Sequence, residues 1–493
     1  MDNYGQKLLC AVDMHYKHKN YKQAHNLYEE IISKFPNRPD AYYFLGLLEF
    51  DLGNQKRAKE LMHKLLEFPS FDKAYFTLAQ LYLLDRDPAN SLKYLKLALI
   101  YNSSCKEYKA LLHKAFPKHA NFLKKHKLDK ENIKFISSKE YSKCVYQMIY
   151  PPEVIEREPP KYVDEILTEK QRTLLLSAFD KYKTSNCRES FVIEIPNGRA
   201  YVKQSEQTYI LTEEGDCLED MLEEDNRVPN FKDLPAEEIK VADKMLVLSS
   251  SYGGNFYHWM TWVIPRLNMI EKAGYKLEDF DKILINTVGF QFQNKLIKYL
   301  GIPSHKVIGT VPYGAVFKAN TLVTASLPSF LRTPHFVTDS IRERFLRPEH
   351  YSESRPKIIY LSRNKGSTRK ITNEQELTNY LKNMGFEIVY PEQMEIDEQV
   401  AAFANADIVL GQHGAGLTNL CFCKPLTKVI EIFNEDLKQY IDSGYFRICS
   451  NVKLDHYVMF GEPVPGPAID MKVDIEKLEK TIELLLNNCR QTA

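Results

Sequence analysis

The chain has 493 residues, 44% hydrophobic and 27% charged, with a formal net charge of +1. These soluble-globular proportions exclude a disordered chain, and the balanced charge excludes bulk attraction to nucleic acid. At the usual ~100 to 200 residues per domain the length calls for two to four units, and no window reaches the ~18 uninterrupted apolar residues of a membrane span.

The amino terminus, "MDNYGQKLLCAVDMHYKHKNYKQ", carries no basic run followed by an apolar core, so no secretory leader is expected. An internal repeat comes next. "DAYYFLGLLEFDLGNQKRAKELMHKLL" from Asp40 is echoed 33 residues later by "KAYFTLAQLYLLDRDPANSLKYLKLAL" from Lys73, which aligns Ala41 with Ala74, Leu45 with Leu78 and Gly46 with Ala79. Small residues at Gly46, Ala58, Ala79, Ser91 and Ala98 let paired helices approach. The pattern resembles tetratricopeptide repeats and is assigned to residues 1–120.

Residues 121–160 form a connector that includes the proline-rich "PPEVIEREPPKY". Beyond it, "ESFVIEIPNGRAYVKQSEQTYILTEEGDCLED" alternates apolar and polar residues around Asn197-Gly198, which predicts a hairpin. The runs "KMLVLSS", "DKILINT", "ANTLVTAS", "KIIYLSR", "FEIVYPE", "ADIVLGQ" and "KVIEIFN" then alternate with helical patterns, which predicts α/β units with parallel strands, the last ending near Phe433. "DIEKLEKTIELLLNNC" reads as a closing amphipathic helix. Two lobes, 161–350 and 351–493, are assigned on this basis. The nine cysteines, scattered without a C-x-x-C pair, read as reduced thiols of a cytoplasmic protein, and Cys421 and Cys423 as packing residues.

Three clusters carry chemistry. "SYGGNFYHWMTWVIPRL" places Asn255, Tyr257, His258 and Arg266 on a Gly-Gly loop that becomes a helix with both tryptophans. "YLSRNKGSTRKITNEQEL" brings Ser362, Arg363, Lys365, Ser367, Thr368 and Arg369 to a strand's carboxyl end, a composition suited to phosphate. "ADIVLGQHGAGLTNLCF" runs a buried strand into His413, Gly414, Ala415, Gly416, Leu417 and Asn419, where backbone amides and a helix start can face an anion. Singly, a histidine among aromatics is commonly structural, a basic loop commonly solvated and a glycine commonly a turn residue. Two such clusters after strands of one parallel sheet point instead to a shared diphosphate.

In this order and spacing, "NFYHWMTWVIPRL", "YLSRNKGSTRKITNEQEL" and "PEQMEIDEQVAAFANADIVLGQHGAGLTNLCF...KVIEIF" resemble glycosyltransferase family 61, which includes eukaryotic O-linked N-acetylglucosaminyltransferases and plant xylosyltransferases. The resemblance implies a GT-B-like, two-lobed α/β fold and inverting transfer from a nucleotide-sugar, UDP-linked for preference, with no cofactor and no essential metal. Asn255, His258 and Arg266 match the first motif, and with Tyr257 are assigned to the acceptor side. Ser362, Arg363, Thr368 and Arg369 match the second, and Lys365 is assigned with them to the donor. Glu392 and Gln399 match the segment before the last strand; His413 to Leu417, Asn419 and Glu431 match the third motif. Helical repeats stand where the family usually has a membrane anchor or signal.

The residues suit that chemistry. Inverting transfer needs a base for the acceptor hydroxyl and positive charge for the leaving diphosphate. His258, with an ordinary pKa of ~6.5, is chosen as the base. Arg363, Arg369, the amides of Gly414 to Gly416 and the helix dipole are chosen for the leaving group, with His413 as a hydrogen-bond donor. Asp279-Phe280-Asp281 matches the D-x-D of metal-dependent transferases but lies away from the basic clusters. The expected partners are a nucleotide-sugar, a protein or glycan acceptor, and a protein bound through the repeats. The alternative is a non-catalytic repeat scaffold with a nucleotide-binding domain.

Overall fold

The computed structural model describes residues 3–36, 38–66, 72–101, 105–117, 123–125, 133–203, 207–222, 237–286, 291–309, 315–328, 332–352, 354–363, 369–437, 445–466 and 469–490. Its amino-terminal part is helical. Asn3–Tyr16 pairs with Tyr21–Lys34, Pro39–Asp51 with Gln55–Leu65 and Asp72–Leu84 with Pro88–Tyr101, and Lys106–Ala115 follows. The small repeat positions do what the period requires. Ala24, Ala58, Ala79, Ser91 and Ala98 are fully buried, and a Cβ on Gly46 would come within 2.5 Å of Met62 Cε. These tetratricopeptide-like repeats touch the rest of the chain where helix Pro88–Tyr101 meets strand Val307–Gly309.

The remainder is mixed α/β. Each of the seven predicted runs is a strand. In the first sheet, Val307–Gly309, Lys282–Ile285, Glu237–Val247 and Ala315–Ala325 lie side by side in that spatial order, all parallel. The second sheet has the order Glu387–Val389, Ile358–Leu361, Ile408–Gln412, Lys428–Asn434, Asp455–Pro463, again parallel, with a short antiparallel edge at Met471–Lys472. Asp455–Pro463 extends the α/β pattern past Phe433, where it was expected to end. One buried apolar cluster runs from Leu246, Trp259 and Phe345 beside the first sheet to Leu361, Val409 and Leu417 of the second, so the two sheets share a core.

The expected hairpin at Asn197-Gly198 is not one. Strands Ser190–Pro196 and Arg199–Lys203 both pair antiparallel with successive halves of Ala315–Ala325. Asn197 takes a left-handed φ of 52°, and a Cβ on Gly198 would lie 2.8 Å from Leu322 Cβ. The dipeptide kinks a strand line pressed against its neighbour rather than reversing the chain. The true hairpin joins Arg199–Lys203 to Gln207–Leu211.

Candidate functional site

A parallel sheet opens a crevice where its strand order reverses, because the connections on either side leave in opposite directions. In the second sheet that point lies between Ile358–Leu361 and Ile408–Gln412, with Leu361 opposite Gly411. Ser362 and Arg363 follow one strand and His413 and Gly414 the other. A cavity of about 420 Å³ occupies the place, lined by Ser362, Arg363 and Gly414 and by Phe256, Phe292 and Lys295 from the first sheet's side. Lys295 also bonds across to Glu395 at 2.7 Å. Glu392, Ala415, Gly416 and Leu417 complete the second-sheet wall.

Arg363 is the unusual group here. It is largely buried, its Nε is shielded from solvent, and that nitrogen has no hydrogen-bond partner among the described residues. Burial first and then the neighbouring Arg369 charge lower its pKa, with Tyr445 and Glu392 acting the other way, to about 10. Two adjacent guanidinium groups in a concave site call for an anion. Arg369 holds the loop in place: its left-handed backbone (φ 56°) lets its carbonyl accept from Gln412 Nε2, and its Nη1 reaches the His413 carbonyl at 3.5 Å.

The helix expected here is a 3-10 helix, Ala415–Phe422, which starts from Gly414. Its first bond runs from Leu417 N to Gly414 O at 2.9 Å, so the amides of Gly414, Ala415 and Gly416 precede the helical bonding. Gly414 has extended backbone, φ 171°, and needs no glycine for conformation. It needs one for space, since a Cβ there would overlap the Arg363 guanidinium. Gly416 has ordinary room: its Cβ would meet Leu361 Cδ2 at 3.6 Å and Pro391 Cγ at 3.7 Å. Asn419 is a tie within the wall, donating to Gln399 Oε1 at 3.0 Å and Gly416 O at 3.1 Å. Ser362 is equally engaged, its hydroxyl donating to Glu374 Oε1 at 2.5 Å while Tyr360 donates to Oε2 at 2.8 Å.

His413 is not among the residues lining the cavity. Its Nδ1 lies 2.6 Å from Glu431 Oε1, and His456 Nε2 lies 3.0 Å from Glu431 Oε2. Burial alone would raise the Glu431 carboxyl, but the hydrogen bonds and charges of the two histidines outweigh it and hold the pKa below the ordinary value. The His413 ring stacks on Phe433 at 4.8 Å and tilts against Tyr445 at 5.4 Å. Sequence reasoning missed His456, although an acid inside the apolar run "KVIEIF" signals a buried partner.

On the first sheet's side, Asn255 caps a helical turn by accepting from Tyr257 N at 2.8 Å. The Tyr257 ring meets Tyr445 edge-on at 5.6 Å, which links this motif to the His413 side of the loop. His258 lies among Tyr252, Tyr257 and Trp262, ahead of a π-helical turn at Trp259–Val263. Burial lowers its pKa to about 4. Arg266 is buried and lies at the first sheet's own reversal point. Its five N–H groups reach Ala325 O, Leu248 O, Ser249 O, Val247 O and Thr324 Oγ1 at 2.7–3.1 Å. Neither His258 nor Arg266 lines the cavity.

Lys365, Ser367 and Thr368 lie outside the described residues. Asp279 and Asp281 are capping groups, accepting from Lys276 N at 2.7 Å and Lys244 N at 2.8 Å. Among the described residues no three His, Cys, Asp or Glu side chains are grouped to hold a metal ion, and no helix is long and apolar enough to cross a membrane.

Residues 256–430 match the family model Glycosyltransferase 61. The chain is similar to the EGF domain-specific O-linked N-acetylglucosamine transferase of Gallus gallus, 40% identical over 86 residues, 16% of either chain. It is similar to the Drosophila melanogaster protein of the same name, 33% identical over 114 residues, 22% of either chain. The "Beta-1,2-xylosyltransferease XAX1" of Oryza sativa subsp. japonica is 34% identical over 101 residues, 20% of this chain and 18% of that one. The matches thus span 16–22% of the length of these relatives. Among solved structures, the Yersinia enterocolitica type III secretion translocator chaperone SycD matches 24% of this chain and 91% of its own, at 17% identity and a TM-score of 0.22.

Proposed function

We propose that this chain, with its glycosyltransferase 61 domain at residues 256–430, is an inverting glycosyltransferase that moves a sugar from a nucleotide-sugar, UDP-linked for preference, to a hydroxyl of a protein or glycan. The observation that carries the reading is Arg363: a buried guanidinium beside a second one, at a strand-order reversal, whose Nε has no acceptor among the described residues. A donor diphosphate supplies what it lacks. The leaving group gains charge as the glycosidic bond breaks, and Arg363, Arg369 and the amides of Gly414 to Gly416 can stabilise it without an essential metal. The two sheets then act as the lobes of a GT-B arrangement, with the donor on the second and the acceptor entering beside Asn255 and Tyr257. Lys365, Thr368 and Glu392 belong to the donor side of this reading.

The relatives' names, O-linked transfer and xylosyl transfer, favour a hydroxyl acceptor. The repeats serve to select or tether it, raising its local concentration at the site. Eight of the nine cysteines, those whose side chains are described, are unbonded, which favours a reducing compartment such as the cytoplasm.

Thermal unfolding with UDP, GDP and CMP sugars, in EDTA, tests the reading. UDP or its sugar should raise the melting temperature, since only a ligand of the native state does so, and sugar transfer or slow donor hydrolysis should accompany it. No stabilisation by any of the three would remove the donor site. Stabilisation without turnover would favour the binding scaffold.

A further inference from the structure

Helix Gln291–Tyr299 turns one face toward the second sheet. Residues four apart lie on the same side of a helix, so Gln291, Lys295 and Tyr299 stand in one row, while Leu296 and Ile297 are buried in the core. Gln291 and Lys295 line the cavity. Tyr299, one turn further on, donates to Oδ1 of Asp397 at 2.8 Å, in the first turn of helix Ile396–Asn405 across the cleft. That bond fixes the row and with it the place of Lys295.

Among the described residues, three charged side chains line the cavity: Arg363 and Glu392 on the second-sheet wall, and Lys295 on the wall opposite. An ammonium group carries three N–H donors. Lys295 Nζ lies 2.7 Å from Glu395 Oε1 and 3.2 Å from the Met394 carbonyl, which accounts for two of them. The Lys295 side chain is 29% exposed and that of Glu395 69%. An ion pair so open to water contributes little, because each charge is nearly as well solvated apart. A charge-assisted hydrogen bond to phosphate inside the cavity, where Phe256, Phe292 and Leu361 exclude water, is the stronger of the two. The flexible four-carbon stem of lysine lets the ammonium group change partner without the helix moving.

We infer that Lys295 is a donor-binding residue supplied by the first sheet's side, exchanging Glu395 for the diphosphate opposite Arg363. The inference rests on the transferase reading above and adds to it a cation from the other wall. Lys295 keeps its proton and binds by charge. The diphosphate then touches both walls and ties them together, and Glu395 is the competitor that it displaces.

Calorimetric titration of the full chain with UDP and with uridine, which has the same base and ribose but no phosphate, tests the inference. Lys295→Met keeps an unbranched apolar stem and removes the charge. It should weaken UDP on the order of 10-fold and leave uridine unchanged. Glu395→Gln removes the competing charge but keeps an oxygen for the cap that Glu395 places on helix Ile396–Asn405. It should tighten UDP roughly two- to fivefold, a gain that vanishes in the Lys295→Met background. Equal UDP affinity in wild type and Lys295→Met, or an equal loss for UDP and uridine, would overturn the inference. So would a gain from Glu395→Gln that survives without Lys295, since that is the general effect of removing a negative charge. If UDP does not bind the wild type, the transferase reading fails and the inference falls with it; failure of the Lys295 inference alone leaves wild-type UDP binding intact.

Discussion

The parallel strands of the two sheets each reverse their order once, and each puts an arginine at that point with opposite results. In the first sheet Arg266 reaches five acceptors on two strand ends and closes the crevice. In the second, Arg363 leaves a buried nitrogen without a partner among the described residues, and the crevice stays open as a cavity. Burial lowers the pKa of both, to about 9 for Arg266 and about 10 for Arg363. Topology therefore supplies two equivalent crevices, and the acceptors offered to the guanidinium decide which stays open. The histidines repeat the contrast: His258 is packed by rings, His413 is held by a carboxylate.

The largest effect should come from breaking the closed side. Arg266→Leu leaves Val247 O and the Thr324 hydroxyl bonded to each other but takes this donor from the buried carbonyls of Leu248, Ser249 and Ala325, where each unsatisfied group costs ~1 to 3 kcal/mol, so unfolding by urea should show a loss above ~3 kcal/mol. A variant as stable as wild type would mean that Arg266 does not hold the strand ends.

Next comes His258. Its folded pKa of about 4 lies below the ordinary imidazole value of 6.5, so the unfolded chain takes up a proton first as pH falls. The stabilisation is complete above pH ~6.5 and is lost as pH drops toward 4, reaching ~3 kcal/mol. His258→Phe should lack this component. Between pH 7.5 and 4 the wild type should lose stability relative to the variant, and parallel curves for the two would place the imidazole in a wetter site. A histidine protonating near 4 is also a weaker base than an ordinary imidazole.

On the open side the expectation is the reverse of that for Arg266. Arg363→Ala should leave stability within ~0.5 kcal/mol, because no bond to its Nε among the described residues is lost and repulsion from Arg369 is relieved. UDP binding should weaken by ~1.5 to 3 kcal/mol, the value of a charge-assisted hydrogen bond, read by calorimetry. A destabilised protein with unchanged affinity would put Arg363 in the same class as Arg266.

The sequence did not distinguish these arginines. Arg363 follows strand Ile358–Leu361 and Arg266 lies in helix Ile264–Lys272, but what separates their crevices is the set of carbonyls brought up by strands distant in the chain. The strands themselves were legible because their apolar runs are short, β-branched and bounded by turn residues. Asp455–Pro463 escaped because the helix before it, Phe446–Val452, has only seven residues, too few to show a helical period, and His456 escaped with it. Asn197-Gly198 misled because a left-handed asparagine beside a glycine serves a kinked strand as well as a tight turn. The glycines of "GQHGAGLTNL" were legible as a close approach, though not which of them made it.

That last distinction gives the smallest and sharpest test. Both Gly414 and Gly416 face the cavity, neither has a left-handed backbone, and only Gly414 has the Arg363 guanidinium where its Cβ would go. Gly416→Ala should therefore change stability by less than ~1 kcal/mol and keep UDP binding, its new methyl meeting Leu361 and Pro391 at ordinary contact distance. Gly414→Ala displaces Arg363 and should cost most of the affinity that Arg363→Ala costs. Because the two act through one guanidinium, their effects should not add: Gly414→Ala in an Arg363→Ala background should lose little more. Additive losses would show that the Gly414 amide contributes to the ligand independently of Arg363. A large loss from Gly416→Ala would mean that the ligand's backbone contacts centre on Gly416, moving the anion along the loop and away from the guanidinium.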